Sequence, residues 1–265
     1  GYKNARFGKI EAHEAVTAYS REVLLRAKEI AESQGFRFLH AIVDSLWLQK
    51  QGAGRDEYDR LAADISTQTQ LPIVVEGLYR WIGFLSSRVN PRMPVHNQFV
   101  GLFDNGRMKV RGLEVRRSDA PLIVKQFQSE VLQRMGQGQT IAELRMRIPE
   151  IEALTEDYCR YLREGRASIE EVAIGKTLTQ APEHYRHATQ TSIAAKELQR
   201  RGVPVQPGET IHYVISQSKA ALPEDRVRAV AGDDGTIAYD IDAYVKLIQK
   251  SVRVLLATLG LPRIP

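Results

Sequence analysis

The stretch His40-Ala41-Ile42-Val43-Asp44-Ser45-Leu46-Trp47 is the most informative pattern of the chain, because it joins two apolar runs through a short polar pair. The flanking runs, residues 36–43 and 46–50, are rich in the aromatic and β-branched residues that favour strands. Asp and Ser are favoured in tight turns because their side chains hydrogen-bond to nearby backbone. We therefore predict a β-hairpin with Asp44 at or near its tip.

A carboxylate at the tip of an apolar hairpin has two interpretations. At the rim of a sheet, Asp44 can hold a divalent cation beside a phosphate. Alternatively, Asp44 only completes the turn through local hydrogen bonds. Position alone favours the second interpretation.

Helical and strand patterns extend on both sides of this hairpin. Apolar residues recur at helical spacing over residues 9–34 and 55–70, so both stretches are predicted helices. The tripeptide Asp104-Asn105-Gly106 is a strong hairpin turn. Further strands are predicted over residues 73–76, 79–82, 98–103 and 108–115.

From residue 119 onward the pattern is mostly helical. Asp119-Ala120-Pro121 predicts a helix start, with Asp119 as the N-cap. Helices are predicted over residues 122–135, 140–163, 185–200 and 241–259, the last capped by Asp240, with one strand over 210–215. The predicted fold class is α+β, in which an antiparallel sheet with helices precedes a mainly helical part that begins near residue 119.

Composition excludes several classes of protein. The 265 residues are 43% apolar and 26% charged, which excludes a fibrous repeat or a disordered chain. Lys and Arg number 37 against 32 Asp and Glu, and the net charge of +5 permits a polyanionic partner. The single cysteine, Cys159, excludes an internal disulfide and a Cys-rich zinc site, and predicts a reducing compartment. No apolar run approaches the roughly 20 residues of a membrane helix, and the start at Gly1 suggests a piece of a longer protein.

Several tracts together resemble the family-B DNA polymerases. HAIVDSLW (40–47) resembles motif C of that family, whose usual form is Tyr-Gly-Asp-Thr-Asp-Ser. VHNQFVG (95–101) lies where the family has a Lys-Lys-Arg-Tyr-x-Gly tract. The other similar tracts are GYKNARFG (1–8), GRMKVRGLEVRRSDAP (106–121), PGETIHYVI (207–215) and YDIDAYVKLI (239–248). The resemblance implies the C-terminal part of a polymerase palm over residues 1–118 and a thumb over 119–265.

The departures from the family pattern bear on activity. The first motif C aspartate, which holds catalytic metal in the family, corresponds to Ile42, while Asp44 corresponds to the second and less indispensable one. The Lys-Arg-Tyr tract corresponds to Asn97-Gln98-Phe99, which lacks its charge and its phenol. This combination resembles the catalytically disrupted second-type paralogues of archaea and some bacteria.

The resemblance therefore implies a segment that binds primer–template DNA and is catalytically impaired. The alternative is an active, Mg²⁺-dependent DNA-directed DNA polymerase formed with an upstream half, either fused or a separate subunit. In that case the family's upstream motif A, an unseen acid and Asp44, as the residual catalytic and metal-binding carboxylate, hold the cations. Without activity no cofactor is expected. A third alternative is an interaction module that keeps the fold without binding DNA. A DNA partner implies a cytoplasmic, nucleoid-associated location, with no membrane partner.

Basic residues supply the candidate DNA contacts. Arg107, Lys109 and Arg111 alternate along one predicted strand and so share a face. Such a row can contact phosphates, or it can protect an exposed sheet edge; the resemblance favours DNA. His184 and His187 have metal-like spacing but no third ligand, so we interpret them as exposed helix residues. The candidate DNA-binding residues are Asn97, Arg107, Lys109, Arg111, Arg116, Arg117, Lys125, Lys176 and Arg186.

Overall fold

The computed structural model describes residues 8–87, 89–90, 93–232 and 237–260, except for the side chains of Ser86 and His96. The chain divides into two compact units, Gly1–Leu78 and Tyr79–Pro265. All but the last residue of the tract 1–8 lies outside the described residues. The boundary between palm and thumb near residue 118 is a different division and stays a prediction.

The first unit is built from α1 (Ile10–Ser33), β1 (Arg37–Ile42), β2 (Ser45–Gln49) and α2 (Arg55–Thr69). The two strands pair antiparallel around a turn at Val43 and Asp44, which confirms the predicted hairpin. Both predicted helices are confirmed. The buried core of this unit consists of Ala27, Ile30, Ala31, Phe36, Leu61 and Ile65.

The strand predicted over residues 73–76 is wrong, because this segment has no regular structure. Side chains of α2, rather than a neighbouring strand, hydrogen-bond to the backbone of Ile73 and Val75. The Ile73 amide donates to Ser66 Oγ at 2.8 Å, and the Val75 carbonyl accepts from Arg55 at 3.2 Å. An apolar run that forms these local bonds needs no ladder.

The second unit contains a three-stranded antiparallel sheet of β3 (Tyr79–Ser86), β4 (Pro94–Phe103) and β5 (Met108–Arg111), in that order. The predicted turn at 104–106 joins β4 to β5. Buried Val100 and Leu102 on β4 belong to the same core as α3 (Leu122–Gly136) and α8 (Ile241–Thr258). The buried Trp81 indole donates to the Gly138 carbonyl at 2.9 Å, which ties β3 to the segment after α3.

The rest of the second unit contains short helices and a second sheet. The helices are α4 (Ile141–Met146), α5 (Ile148–Arg163), α6 (Ile169–Val172) and α7 (Gln190–Arg200), with 3₁₀ turns at Glu114–Arg116, Pro182–His184 and Pro223–Asp225. The sheet has the order β6 (Ile174–Thr177), β7 (Thr210–Ile215) and β8 (Val227–Val230). The α+β class is confirmed, although β6 and β8 were not predicted. No helix among the described residues is long and apolar enough to cross a bilayer.

Three helix predictions for this unit need correction. The single helix predicted over 140–163 is two, α4 and α5, which meet at Arg147 just before Pro149. The helix predicted from residue 185 begins at Gln190, where Thr189 forms a capping box. Asp119 is not an N-cap, because Pro121 holds that position. The cap at Asp240 is confirmed, since its carboxylate accepts from the Ala243 amide at 3.0 Å.

Candidate nucleic-acid interface

A cleft of about 690 Å³ in the second unit brings together basic residues that are far apart in sequence. Arg116 and Arg117 contribute from the end of the 3₁₀ turn, Lys125 from the first turns of α3, and Lys176 from β6. All four are predicted DNA-binding residues. Their convergence gives one concave surface with several cations.

Asp119 lies between two of these cations. Its carboxylate accepts two hydrogen bonds from Arg117, Nε to Oδ1 at 2.9 Å and Nη2 to Oδ2 at 3.0 Å. Lys176 Nζ lies 3.5 Å from Asp119 Oδ2. The hydrogen bond from Arg117, followed by the charges of Arg117 and Lys176, lowers the pKa of Asp119, and the same hydrogen bond raises the pKa of Arg117. The stabilisation from this group is therefore present above the ordinary aspartate pKa and is lost as pH falls through the lowered value.

The 3₁₀ turn that presents the two arginines is held by a buried glutamine that the sequence analysis missed. Gln128 on α3 is fully buried. Its Oε1 accepts from the Val115 amide at 2.7 Å, and its Nε2 donates to Glu114 Oε2 at 3.0 Å. An amide in the apolar stripe of a helix is the signal that could have identified this residue, since buried amides need partners.

His212 is a second cleft residue that the sequence analysis missed. It lies on the exposed face of β7, paired with Gly175 of β6. A Cβ at Gly175 would come within 3.0 Å of His212 Nε2, so a side chain there would displace the imidazole. Thr177 and Thr210 follow on the same pair of strands, with hydroxyl oxygens 3.0 Å apart. No short-range sequence pattern links these residues to Arg117.

The remaining predicted residues of the β3–β5 sheet lie outside this cleft. In the strand register, Lys109 is opposite Gly101 and Arg111 is opposite Phe99, so the two cations share a face. Arg107 precedes β5 by one residue, and its guanidinium lies 4.3 Å from the centre of the Phe103 ring. The strand predicted to continue to residue 115 ends at Arg111.

Asn97 and Arg186 complete the set of predicted DNA contacts. Asn97 is exposed on β4, where its carbonyl faces Gly112 at the end of β5. Arg186 is exposed in the segment between the 3₁₀ turn 182–184 and α7, and does not line the cleft. His184 closes that 3₁₀ turn and His187 lies in the following loop, so the single helix face expected for these histidines is wrong.

Gly112 determines the direction of the chain between Arg111 and the 3₁₀ turn. Its φ of 70° is in the left-handed region, and a Cβ there would overlap the Asn97 carbonyl. We expect Gly112→Ala to lower the free energy of unfolding by about 3 kcal/mol, through backbone strain and overlap together. Urea unfolding followed by intrinsic tryptophan fluorescence measures this loss.

Gly106→Ala is the matched control for this prediction. Gly106 also has a positive φ, 82°, but a Cβ there has nothing within 4 Å. Gly106→Ala should therefore lower the free energy of unfolding by only about 1 kcal/mol, through backbone strain alone. Equal losses in the two variants would contradict the proposed overlap at Gly112.

The hairpin of the first unit does not assemble a metal site by itself. Asp44 is exposed in the turn and its Oδ1 accepts from the Ser45 hydroxyl at 3.3 Å. Ile42 is 6% exposed and supplies no oxygen ligand. Within the described ranges no group of three His, Cys, Asp or Glu residues is placed to hold a metal ion. The one carboxylate of this hairpin does not fit a pair of catalytic cations.

Comparison with known proteins identifies the family. The family model for DNA polymerase family B matches residues 96–259. A DNA polymerase of Archaeoglobus fulgidus is 29% identical over 255 residues, which cover 96% of this chain and 29% of that protein. DNA polymerase 2 of Saccharolobus solfataricus is 36% identical over 145 residues, which cover 55% of this chain and 21% of that protein.

A solved structure agrees at the level of the fold. The family B DNA polymerase from the hyperthermophilic archaeon Pyrobaculum calidifontis matches with a TM-score of 0.62 and 24% identity, over 100% of this chain and 32% of that one. The chain thus spans about a third or less of the length of these relatives. The expected resemblance to family-B DNA polymerases is confirmed, whereas the catalytic disruption stays a prediction; the chain belongs to DNA polymerase family B.

Proposed function

We propose that this chain is a segment of a family-B DNA polymerase that binds primer–template DNA through the cleft, and that the polymerase is catalytically impaired. The observation that carries the DNA-binding part is the convergence of Arg116, Arg117, Lys125 and Lys176 on one concave surface. Phosphate contacts from such cations position a protein on a duplex without selecting its sequence. The family membership supports DNA rather than another polyanion as the ligand.

The charge balance of the cleft supports a phosphate ligand. Four arginine and lysine side chains line it against two carboxylates, those of Asp119 and Glu170. Arg117 engages one of the carboxylates, and none of the ion pairs among the described residues includes Arg116 or Lys125, so both side chains can meet a ligand phosphate. Threonine hydroxyls and His212 at the same surface can add neutral hydrogen bonds to phosphate oxygens.

The substitution at the motif C position supports the proposal of impaired catalysis. Phosphoryl transfer by two metal ions about 4 Å apart needs carboxylate oxygens to hold the ions, and the side chain of Ile42 has no oxygen. The second candidate function is an active polymerase joined to an upstream half, and the retained Asp44 favours it. An active polymerase of this kind uses Mg²⁺. Three further expectations depend on the longer protein: nucleotidyl transfer, a role in DNA replication or repair, and association with the nucleoid.

Salt-dependent binding to a labelled primer–template duplex tests the DNA-binding part. The four cations of the cleft predict, at one phosphate contact each, a loss of affinity of roughly 150-fold between 50 and 200 mM salt, with little dependence on base sequence. Fluorescence anisotropy of the labelled duplex, titrated with the 265-residue chain, measures the affinity at each salt concentration and for duplexes of different sequence. Absence of binding at 50 mM salt and micromolar protein, or an affinity that salt does not change, would favour the interaction module without DNA binding.

A further inference from the structure

The two carboxylates of the cleft differ in what they contact. Asp119 accepts a two-bond interaction from Arg117 and lies 3.5 Å from Lys176, a residue of a different element, 57 positions away. Glu170, in the first turn of α6, lines the same cleft, but none of the ion pairs of the described residues includes it. The chain therefore offers two cleft carboxylates with the same charge and different contacts.

We propose that Asp119 is a positioning residue for DNA binding, which holds Arg117 and Lys176 in the orientation that a DNA phosphate meets. This inference rests on the proposed function of the cleft. Both cations contact one carboxylate group, so without Asp119 their like charges would repel each other. Arginine and lysine also lose much side-chain freedom when they are ordered. Ordering them before DNA arrives removes that cost from the binding step.

The geometry allows a phosphate to join this arrangement without dismantling it. Arg117 uses Nε and Nη2 on Asp119 at short distances, whereas the Lys176 contact is long and involves one oxygen. The Lys176 side chain is 50% exposed and the Arg117 side chain 55% exposed. Lys176 can therefore meet a phosphate from its exposed side while it stays beside Asp119, and Arg117 keeps its two bonds to Asp119 and presents its remaining N–H groups.

The direction in which removal of the Asp119 charge changes DNA affinity distinguishes a positioning role from simple repulsion of phosphate. A carboxylate close to DNA repels phosphates, so removing its charge should by itself tighten binding. If Asp119 instead positions the two cations, removing its charge should weaken binding. Asp119→Asn and Glu170→Gln make the same change of charge in the same cleft, so Glu170→Gln serves as the matched control.

The experiment measures duplex affinity of the full 265-residue chain at 100 mM salt for both variants. We expect Asp119→Asn to weaken binding about fivefold, the cost of ordering one or two long side chains, and to reduce the salt slope. Glu170→Gln should tighten binding, by up to about twofold, the effect of removing one screened surface charge. Thermal unfolding checks that the variants stay folded, which we expect because exposed ion pairs contribute little to stability.

A second background, a chain in which both cations are already replaced, shows whether Asp119 acts through Arg117 and Lys176. In a chain that already carries Arg117→Gln and Lys176→Gln, Asp119→Asn should no longer weaken binding. Tighter binding by Asp119→Asn in the otherwise unchanged chain, or a weakening that persists in the second background, would overturn the inference. Failure of the unmodified chain to bind duplex in a salt-dependent way would instead overturn the proposed function itself.

Discussion

Replacing Arg116 and Arg117 together with alanine is expected to lower duplex affinity roughly 30-fold at 150 mM salt, and to reduce the slope of log affinity against log salt by about two. Both residues line the cleft at the end of the 3₁₀ turn, and both side chains are exposed to a ligand. Each phosphate contact that is lost leaves about one condensed counterion unreleased. Titrations at 50, 100 and 200 mM salt measure the affinity and the slope together.

Arg160→Ala with Arg163→Ala is the matched control for this variant. These arginines are also exposed, lie outside the cleft on α5, and make exposed ion pairs with Asp157 and Glu156. The control pair removes the same charge from the same unit, so it should change the slope by much less than two. An unchanged slope in the Arg116 and Arg117 variant would mean that these arginines have a structural role and do not contact phosphate.

The sequence predicted those parts of the fold that depend on neighbouring residues. The hairpin around Asp44, the turn at 104–106 and the cap at Asp240 are local features, and all are confirmed. The helix at 10–33 was predicted because its apolar residues recur at helical spacing. The strand predicted at 73–76 is wrong, and side chains of α2 bond to the backbone of Ile73 and Val75 there, which a propensity argument does not consider.

The sequence predicted a set of basic residues as DNA contacts, but not that four of them meet in one cleft around Asp119. Its arginines were selected as candidates because a basic row follows a strand in sequence. The partnership of Lys176 with Asp119 joins residues 57 positions apart, and β6 is too short to give a clear alternating pattern. Asp119 was expected to cap α3, since Asp before Pro favours that role. In the structure the nearby guanidinium of Arg117 offers its carboxylate two charge-assisted hydrogen bonds instead.

Ile42→Asp combined with Asn97→Lys is expected to raise templated nucleotide incorporation at least tenfold in the longer polymerase to which we propose this chain belongs. The aspartate restores an oxygen ligand where the family holds metal, and one preorganised electrostatic group in an active site is worth about a hundredfold in rate. The lysine restores the charge of the tract that corresponds to Asn97. Primer extension with Mg²⁺ and with Mn²⁺ measures the gain, starting from little incorporation by the unmodified protein.

The burial of Ile42 makes the comparison with asparagine decisive. Its side chain is 6% exposed, so any polar replacement costs stability, and an unpaired carboxylate costs more than an amide. Ile42→Asn with Asn97→Lys therefore has a similar shape and less destabilisation, but no charge to hold a cation. If the gain came from changes in packing, the asparagine variant would match or exceed the aspartate variant; if it came from a restored ligand, only aspartate would raise incorporation. Robust extension by the unmodified protein that Asp44→Ala abolishes would contradict impaired catalysis, because the reaction would then proceed without a carboxylate at position 42.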